Sequence, residues 1–122
     1  MKEWITACEA KWRTALHPGT YVTCDETMVF WVGLSSGRLI YLPRKPTPLG
    51  VMFKTACDSE TGILISAELV EGAEVDQHKE FREEWGATTA CTLRLVKHLF
   101  KTGRVVVADA WFGSYKTCVA LL

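Results

Sequence analysis

Apolar and polar residues recur with two different periods along the chain, and the period changes where glycine or proline occurs. Residues 4–16 have apolar side chains at helical spacing, which predicts an amphipathic helix that ends at His17-Pro18-Gly19. Residues 21–25 are rich in β-branched and aromatic side chains, which predicts a short strand that ends at Asp25. Residues 33–50 contain three glycines and three prolines, which predict an irregular segment.

Two further strands are predicted as a hairpin. Residues 51–57 and 63–70 have strand-like patterns, and the polar turn between them ends in Gly62. The alternation in the second of these strands places four apolar residues on one face of the sheet: Ile63, Ile65, Ala67 and Leu69.

The second half of the chain predicts a connection, a helix, a strand and a final helix. Residues 71–86 are polar and acidic and predict the connection, whereas residues 88–101 carry an apolar stripe that is typical of a helix. Residues 104–108 form a nearly continuous apolar run, which predicts a central strand covered on both faces. From Gly113 onward the pattern is again helical.

This order of elements predicts one α/β domain with a mixed sheet, which consists of an N-terminal helical part at 1–19 and a sheet-helix core at 20–122. A three-stranded antiparallel meander comes first. A helix then crosses over to a fourth strand, and a right-handed crossover makes that strand parallel to one of the first three.

Composition narrows the class of protein. Lysine plus arginine and aspartate plus glutamate are both 14, and this balance excludes a wholly cationic nucleic-acid binder but leaves room for a local basic patch. No apolar run approaches ~18 residues, and the first ten residues contain two glutamates, so we expect neither a membrane span nor a signal peptide. Five widely spaced cysteines favour a reduced, intracellular protein.

Two carboxylates stand where an α/β sheet binds ligands. Asp25 and Asp109 end the first and fourth predicted strands, and ligands gather beyond the carboxyl ends of strands in such sheets. If these strands are neighbours, the two acids converge and a divalent cation would remove their repulsion. Glu26 is a weaker candidate, because alternation directs it to the opposite face. The alternatives are that Asp109 caps the following helix and that Asp25 is an ordinary surface acid.

The motifs around these acids resemble the catalytic core of piggyBac-like transposases. The matching blocks, in chain order, are Thr23-Cys24-Asp25-Glu26-Thr27-Met28, Gly33, Tyr41-Leu42-Pro43-Arg44-Lys45-Pro46, Gly50, Cys57-Asp58-Ser59, Thr61-Gly62, Gly72, residues 107–114 and Leu121-Leu122. Their order and spacing together are specific, although no single block is decisive.

The resemblance implies an RNase H-like fold, truncated here before its fifth strand, and metal-dependent cleavage and transfer of DNA strands. By that analogy Asp25 and Asp109 are the first two members of a catalytic aspartate triad that holds Mg²⁺ or Mn²⁺. It also implies that the partner is DNA at transposon ends and that the protein is nuclear.

The sequence also departs from the pattern of the family. The third acid of the triad would lie further downstream, so we expect this chain to lack cleavage activity. Ala110 stands where the family usually has asparagine, and Val32 stands where it usually has a basic residue. One alternative is therefore a domesticated, non-catalytic module that binds DNA or protein. Another is a small globular domain in which one aspartate only caps a helix and the other only contacts solvent.

Two surface features are expected in addition. Four basic residues are candidates for phosphate contacts, although a solvated loop would have the same composition: Arg38, Arg44, Lys45 and Lys54. Residues 105–108 would leave an uncovered apolar sheet edge, through which we expect copies of the chain to self-associate.

Overall fold

The computed structural model describes residues 2–33 and 38–122. Within those ranges the strands are β1 (Tyr21–Phe30), β2 (Ile40–Tyr41), β3 (Leu49–Asp58), β4 (Leu64–Leu69) and β5 (Val105–Ala108). The helices are α1 (Lys2–Ala15), α2 (Ala73–Asp76), α3 (Arg82–Trp85), α4 (Ala87–Val96) and α5 (Tyr115–Leu121), with a 3₁₀ turn at Lys97–Leu99. The predicted irregular segment 33–50 contains β2, and its residues 34–37 lie outside the described ranges.

The strands form one mixed sheet with the order β2-β3-β1-β5, and β4 also pairs with β3. β1, β3 and β4 make the predicted antiparallel meander, and β5 is parallel to β1. α4 lies in the crossover between β4 and β5. The prediction of a mixed α/β sheet is therefore confirmed. None of the helices in the described ranges is both long enough and apolar enough to cross a lipid bilayer.

β1 is longer than the sequence predicted. The expectation that it ends at Asp25 is wrong, because β3 continues to pair with it as far as Phe30 opposite Gly50. A Cβ atom at Gly50 would lie 2.3 Å from the carbonyl oxygen of Val29, so this close approach of the two strands requires glycine. Asp25 consequently lies within a strand rather than at its end.

The apolar residues of β4 serve two different faces. Ile65 belongs to the main core with Cys24, whereas Leu69 packs with Ile5 of α1 in a second, smaller cluster. A register shift between Ala56 and Cys57 of β3 marks a β-bulge that breaks the alternation. The prediction that these apolar residues share one face is therefore wrong.

β5 is an edge strand that is covered on one face only. Val105 and Val107 are each 46% exposed, while Val106 and Ala108 pack against the main core. The predicted strand buried on both faces is thus wrong, because an apolar run does not show how many faces are covered. The main core lies between the sheet, α4 and α5, and its buried members are Val22, Cys24, Ala56, Ile65, Cys91, Leu95, Val96 and Phe112.

Candidate functional site

The parallel pairing of β1 with β5 brings Asp25 and Asp109 together. The last paired residues are Cys24 and Ala108, and each aspartate is the next residue along its chain segment. Neighbouring strands lie about 4.8 Å apart, and successive side chains alternate between the faces of a sheet. Since Cys24 faces the main core, alternation directs Asp25 to the opposite face of the sheet. Asp109 directly follows the last residue of β5 beside it.

Asp25 has an exposed side chain in the interior of β1. Its Oδ1 atom accepts a hydrogen bond of 2.7 Å from the backbone N–H of Glu26. The hydroxyl of Thr55, directly opposite on β3, donates to the backbone carbonyl of Asp25 at 3.1 Å. These contacts fix the backbone of Asp25 and leave its carboxylate accessible.

Asp109 organises the turn that follows β5. Its Oδ1 atom accepts hydrogen bonds from the backbone N–H groups of Trp111 at 2.9 Å and Phe112 at 3.3 Å. The alternative that Asp109 caps the final helix is wrong, because Ser114 caps α5 and accepts from the N–H of Thr117 at 3.1 Å. Among the described residues none donates to Oδ2 of Asp109, so one carboxylate oxygen remains for another ligand.

The two acids supply part of a divalent-metal site. Carboxylate oxygens are the donors that Mg²⁺ prefers, and Mg²⁺ keeps several waters when it binds a protein. Across residues 2–33 and 38–122 neither aspartate forms an ion pair, which leaves both negative charges uncompensated. The donor set therefore fits the ion. No cluster of three or more possible metal ligands occurs in the same ranges.

A thiol lies near the acids but does not compete with them. Cys57 belongs to the same face of β3 as Thr55, which is opposite Asp25. Burial and, to a smaller degree, the charge of Asp25 raise the pKa of Cys57. The thiol therefore stays protonated at neutral pH, and a protonated thiol is a poor ligand for a hard cation.

Three of the four predicted basic residues lie at the surface or near it. Arg44 is exposed and has no ion-pair partner in the described part of the chain. Lys45 lies 3.8 Å from a carboxylate oxygen of Glu26, and Arg38 lies 3.1 Å from one of Glu71. The contact with Glu26 places the loop that carries Lys45 beside the strand that carries the first acid.

Lys54 does not lie at the surface. Its residue is 7% exposed, its ammonium is ion-paired with Glu26, and Nζ lies 3.3 Å from the centre of the Trp111 ring. These contacts leave no free ammonium for a phosphate, so we exclude Lys54 from the candidate DNA surface. Composition alone did not reveal this; the signal would have been the cross-strand register, which places Lys54 directly opposite Glu26.

Asp58 supports the site, although the sequence predicts no role for it. Its carboxylate accepts hydrogen bonds from the N–H of Gly19 at 2.8 Å and from both the N–H and the hydroxyl of Thr61 at 2.9 and 2.6 Å. The bond from the Thr61 hydroxyl, followed by that from Gly19, holds the pKa of Asp58 below its usual range. Asp58 thereby ties the β3–β4 turn to the start of β1.

The mixed sheet, with β5 parallel to β1, has the RNase H-like architecture that the resemblance implies. The chain belongs to the family described as Transposase IS4, whose model matches residues 1–122. It is also similar to a piggyBac transposase seen by cryo-EM in a synaptic complex with hairpin DNA, with a TM-score of 0.73 and 25% sequence identity. A comparison with curated proteins found no match.

The structural similarity covers 87% of this chain and 21% of the piggyBac transposase chain, so this chain spans about a fifth of that protein's length. The resemblance to piggyBac-like transposases that the motifs indicated is therefore confirmed.

Proposed function

We propose that this chain is part of a transposase catalytic domain in which Asp25 and Asp109 hold a divalent metal ion, Mg²⁺ or Mn²⁺. The observation that carries the proposal is the parallel register that ends one residue before both acids. Such an ion supplies Lewis acidity for cleavage of a phosphodiester. The protein's own contribution is to present two accessible carboxylates from neighbouring strands.

The two acids are held by different devices. The backbone N–H of Glu26 and the hydroxyl of Thr55 fix Asp25 within the sheet. Two N–H groups of the 109–112 turn orient one oxygen of Asp109. Both carboxylates are therefore oriented before any ligand arrives, which is what tight metal binding requires.

We propose that this chain does not cleave DNA by itself. A third protein acid is needed to complete the proposed triad, and the described residues contain no cluster of three possible ligands. Ala110 and Val32 stand where the family usually has asparagine and a basic residue, which favours the second candidate function, a domesticated module that keeps the fold and binds DNA or protein without chemistry.

The proposed partner is DNA at transposon ends, and Arg38, Arg44 and Lys45 are the proposed phosphate contacts. The similar piggyBac transposase was seen with hairpin DNA, which supports this choice of partner. The overall charge of zero means that attraction to DNA must come from such a local group rather than from the whole surface. A nuclear location is proposed because the partner is DNA. Self-association through the exposed edge of β5 is also proposed.

Binding of Mn²⁺ tests the metal assignment. We expect isothermal calorimetry to show Mn²⁺ binding to the unmodified chain, and roughly tenfold or weaker affinity in Asp25→Asn and Asp109→Asn. Glu83→Gln is the matched control, because it removes one exposed carboxylate from α3, away from the acid pair. Equal affinity in all four proteins would refute the assignment.

Salt-dependent binding of a DNA hairpin tests the basic surface. Each phosphate contact adds about 0.9 to the slope of log K against log salt, so Arg44→Gln and Lys45→Gln should each lower the slope by about that amount. Lys97→Gln is the control. Lys97 lies in the 3₁₀ turn after α4, is exposed and pairs with Glu80. An unchanged slope in both test variants would remove this loop from the DNA surface.

A further inference from the structure

The buried ammonium of Lys54 lies over the ring of Trp111, a residue that is itself 41% exposed. Its Nζ atom lies 3.3 Å from the ring centre of Trp111 and 5.2 Å from that of Phe112. Phe112 is fully buried and meets the ring of Trp111 edge-on at 4.7 Å. A cation over an indole ring is attracted by the negative face of the ring, most strongly where water is excluded.

The residue that carries this ring also orients the second acid. The backbone N–H of Trp111 donates to Oδ1 of Asp109 at 2.9 Å, and that of Phe112 donates to the same oxygen at 3.3 Å. Only two residues separate Asp109 from Phe112, so the ring contacts and the N–H groups belong to one tight turn. The residue whose ring contacts Lys54 thus also supplies a backbone N–H to Asp109.

The partner of Lys54 is linked to the first acid. Glu26 is ion-paired with Lys54 directly across the β1–β3 ladder, and its backbone N–H donates to Asp25 at 2.7 Å. One ion pair on the core side of the sheet thus connects with both acids. It reaches Asp25 through the backbone of Glu26, and it reaches Asp109 through the ring and backbone of Trp111.

We propose that Lys54 is a positioning residue for the acid pair. Its ammonium, held by Glu26, seats the Trp111 ring, and the seated turn binds one oxygen of Asp109 and leaves the other for a ligand. This inference rests on the proposed metal role of Asp109. It gives Lys54 a function that differs from the phosphate contact predicted from the sequence.

Amide hydrogen exchange tests the proposal without any metal. In Lys54→Met the amides of Trp111 and Phe112 should exchange about threefold faster, which is the scale of a cation–π contact on a partly exposed ring. Lys54→Arg restores a cation and should restore most of the protection. Lys79→Met is the matched control, because Lys79 also pairs with a glutamate of the sheet, Glu68, and should leave both amides unchanged. Unchanged exchange in Lys54→Met would overturn the proposal.

Two further variants guard against misfolding. Lys54→Met leaves the carboxylate of Glu26 with only the more distant Lys45 at 3.8 Å, so the double variant Glu26→Gln with Lys54→Met removes the uncompensated charge as well. Trp111→Leu keeps the backbone N–H and removes the ring. Both should loosen the turn as Lys54→Met does, and protected amides in both would overturn the proposal.

Mn²⁺ affinity then separates this inference from the proposed function. Lys54→Met should bind Mn²⁺ roughly threefold to tenfold more weakly, and Lys54→Arg should stay within about twofold of the unmodified chain. If the unmodified chain does not bind Mn²⁺, the metal assignment fails while the exchange data still decide the positioning role. If the unmodified chain binds Mn²⁺, and Lys54→Met changes neither the amide exchange nor the Mn²⁺ affinity, the positioning role alone fails.

Discussion

The two edges of the sheet differ in whether other parts of the chain cover them. At β4, a carboxylate oxygen of Glu9 in α1 accepts from the N–H of Ala67 at 2.9 Å and from the hydroxyl of Ser66 at 2.6 Å. At β5, Val105 and Val107 are exposed, and no described strand pairs with the outer side. One edge is thus closed by the chain's own side chains, whereas the other is open.

The charges near the two edges differ in the same way. On the β4 side, Glu68 accepts from Arg94 at 2.7 and 2.8 Å and from Lys79 at 2.9 Å. On the β5 side, Asp25 and Asp109 have no cationic partner among the described residues. Paired charges thus stabilise the closed edge, whereas the two acids of the proposed metal site have no such partner, as is common for groups with a functional role.

Breaking the ion pair of the closed edge should have the largest effect. Arg94 and Glu68 form a two-point contact, with side chains 12% and 19% exposed. Arg94→Ala should lower the free energy of unfolding by about 3 kcal/mol, the lower end for a buried pair because Glu68 keeps Lys79. Urea unfolding measures the loss.

Lys97→Ala is the control for this prediction. Lys97 pairs with Glu80 at 2.6 Å, but both side chains are about half exposed. Exposed pairs contribute ~0–1 kcal/mol, so the variant should remain close to the unmodified chain. If Arg94→Ala and Lys97→Ala lower the free energy of unfolding equally, the ion pair of the closed edge contributes no more than an exposed pair.

Acid should weaken the closed edge through the same glutamate. Burial raises the pKa of Glu68, but hydrogen bonds from Arg94 and Lys79 outweigh it and hold that pKa below its usual value. A group whose pKa is lowered by folding contributes stability above its unfolded pKa of about 4.3, and this contribution is lost as the pH falls through the folded pKa. The free energy of unfolding, measured at a series of pH values from 7 to 3, should therefore decrease more steeply for the unmodified chain than for Glu68→Gln. Parallel curves would exclude this role.

The sequence predicted the general fold because its strongest signals are local. The helical spacing of residues 4–16 and the polar turn at 58–62 both appear as predicted elements, with α1 at Lys2–Ala15 and a turn between β3 and β4. The crossover rule then predicted a mixed sheet. The parallel neighbour proved to be β1, and this pairing brings Asp25 and Asp109 together.

The errors concern long-range pairing, which local patterns do not encode. The length of β1 depends on β3, the faces of β4 depend on a bulge at its own residue Ile65, and the exposure of Val105 depends on what covers β5. Lys54 is the clearest case. A lysine among basic residues indicates phosphate binding, yet its partner Glu26 is set by a register between residues 28 positions apart.

A substitution at Asp109 separates its turn from its charge. Asp109→Ala removes the acceptor for the N–H groups of Trp111 and Phe112 and should cost about 1 kcal/mol of stability. Asp109→Asn keeps an accepting oxygen and removes the charge beside Asp25, so its stability should stay within about 0.5 kcal/mol. Urea unfolding of both variants distinguishes them. An asparagine that costs as much as alanine would show that the charge itself stabilises this edge.

The smallest effect on stability, and the most direct test of the open edge, comes from lysine at exposed positions of β5. Val105→Lys with Val107→Lys should change the free energy of unfolding by less than ~0.5 kcal/mol per site, because both side chains already face solvent. Charge on an open edge opposes pairing with another strand, so sedimentation velocity should show concentration-dependent association in the unmodified chain and monomers in the variant. Ile63→Lys replaces a similarly exposed apolar residue, at 47%, outside β5 and should associate like the unmodified chain. If the unmodified chain is monomeric, or if Ile63→Lys abolishes association as well as the β5 variant does, the exposed edge of β5 does not mediate self-association.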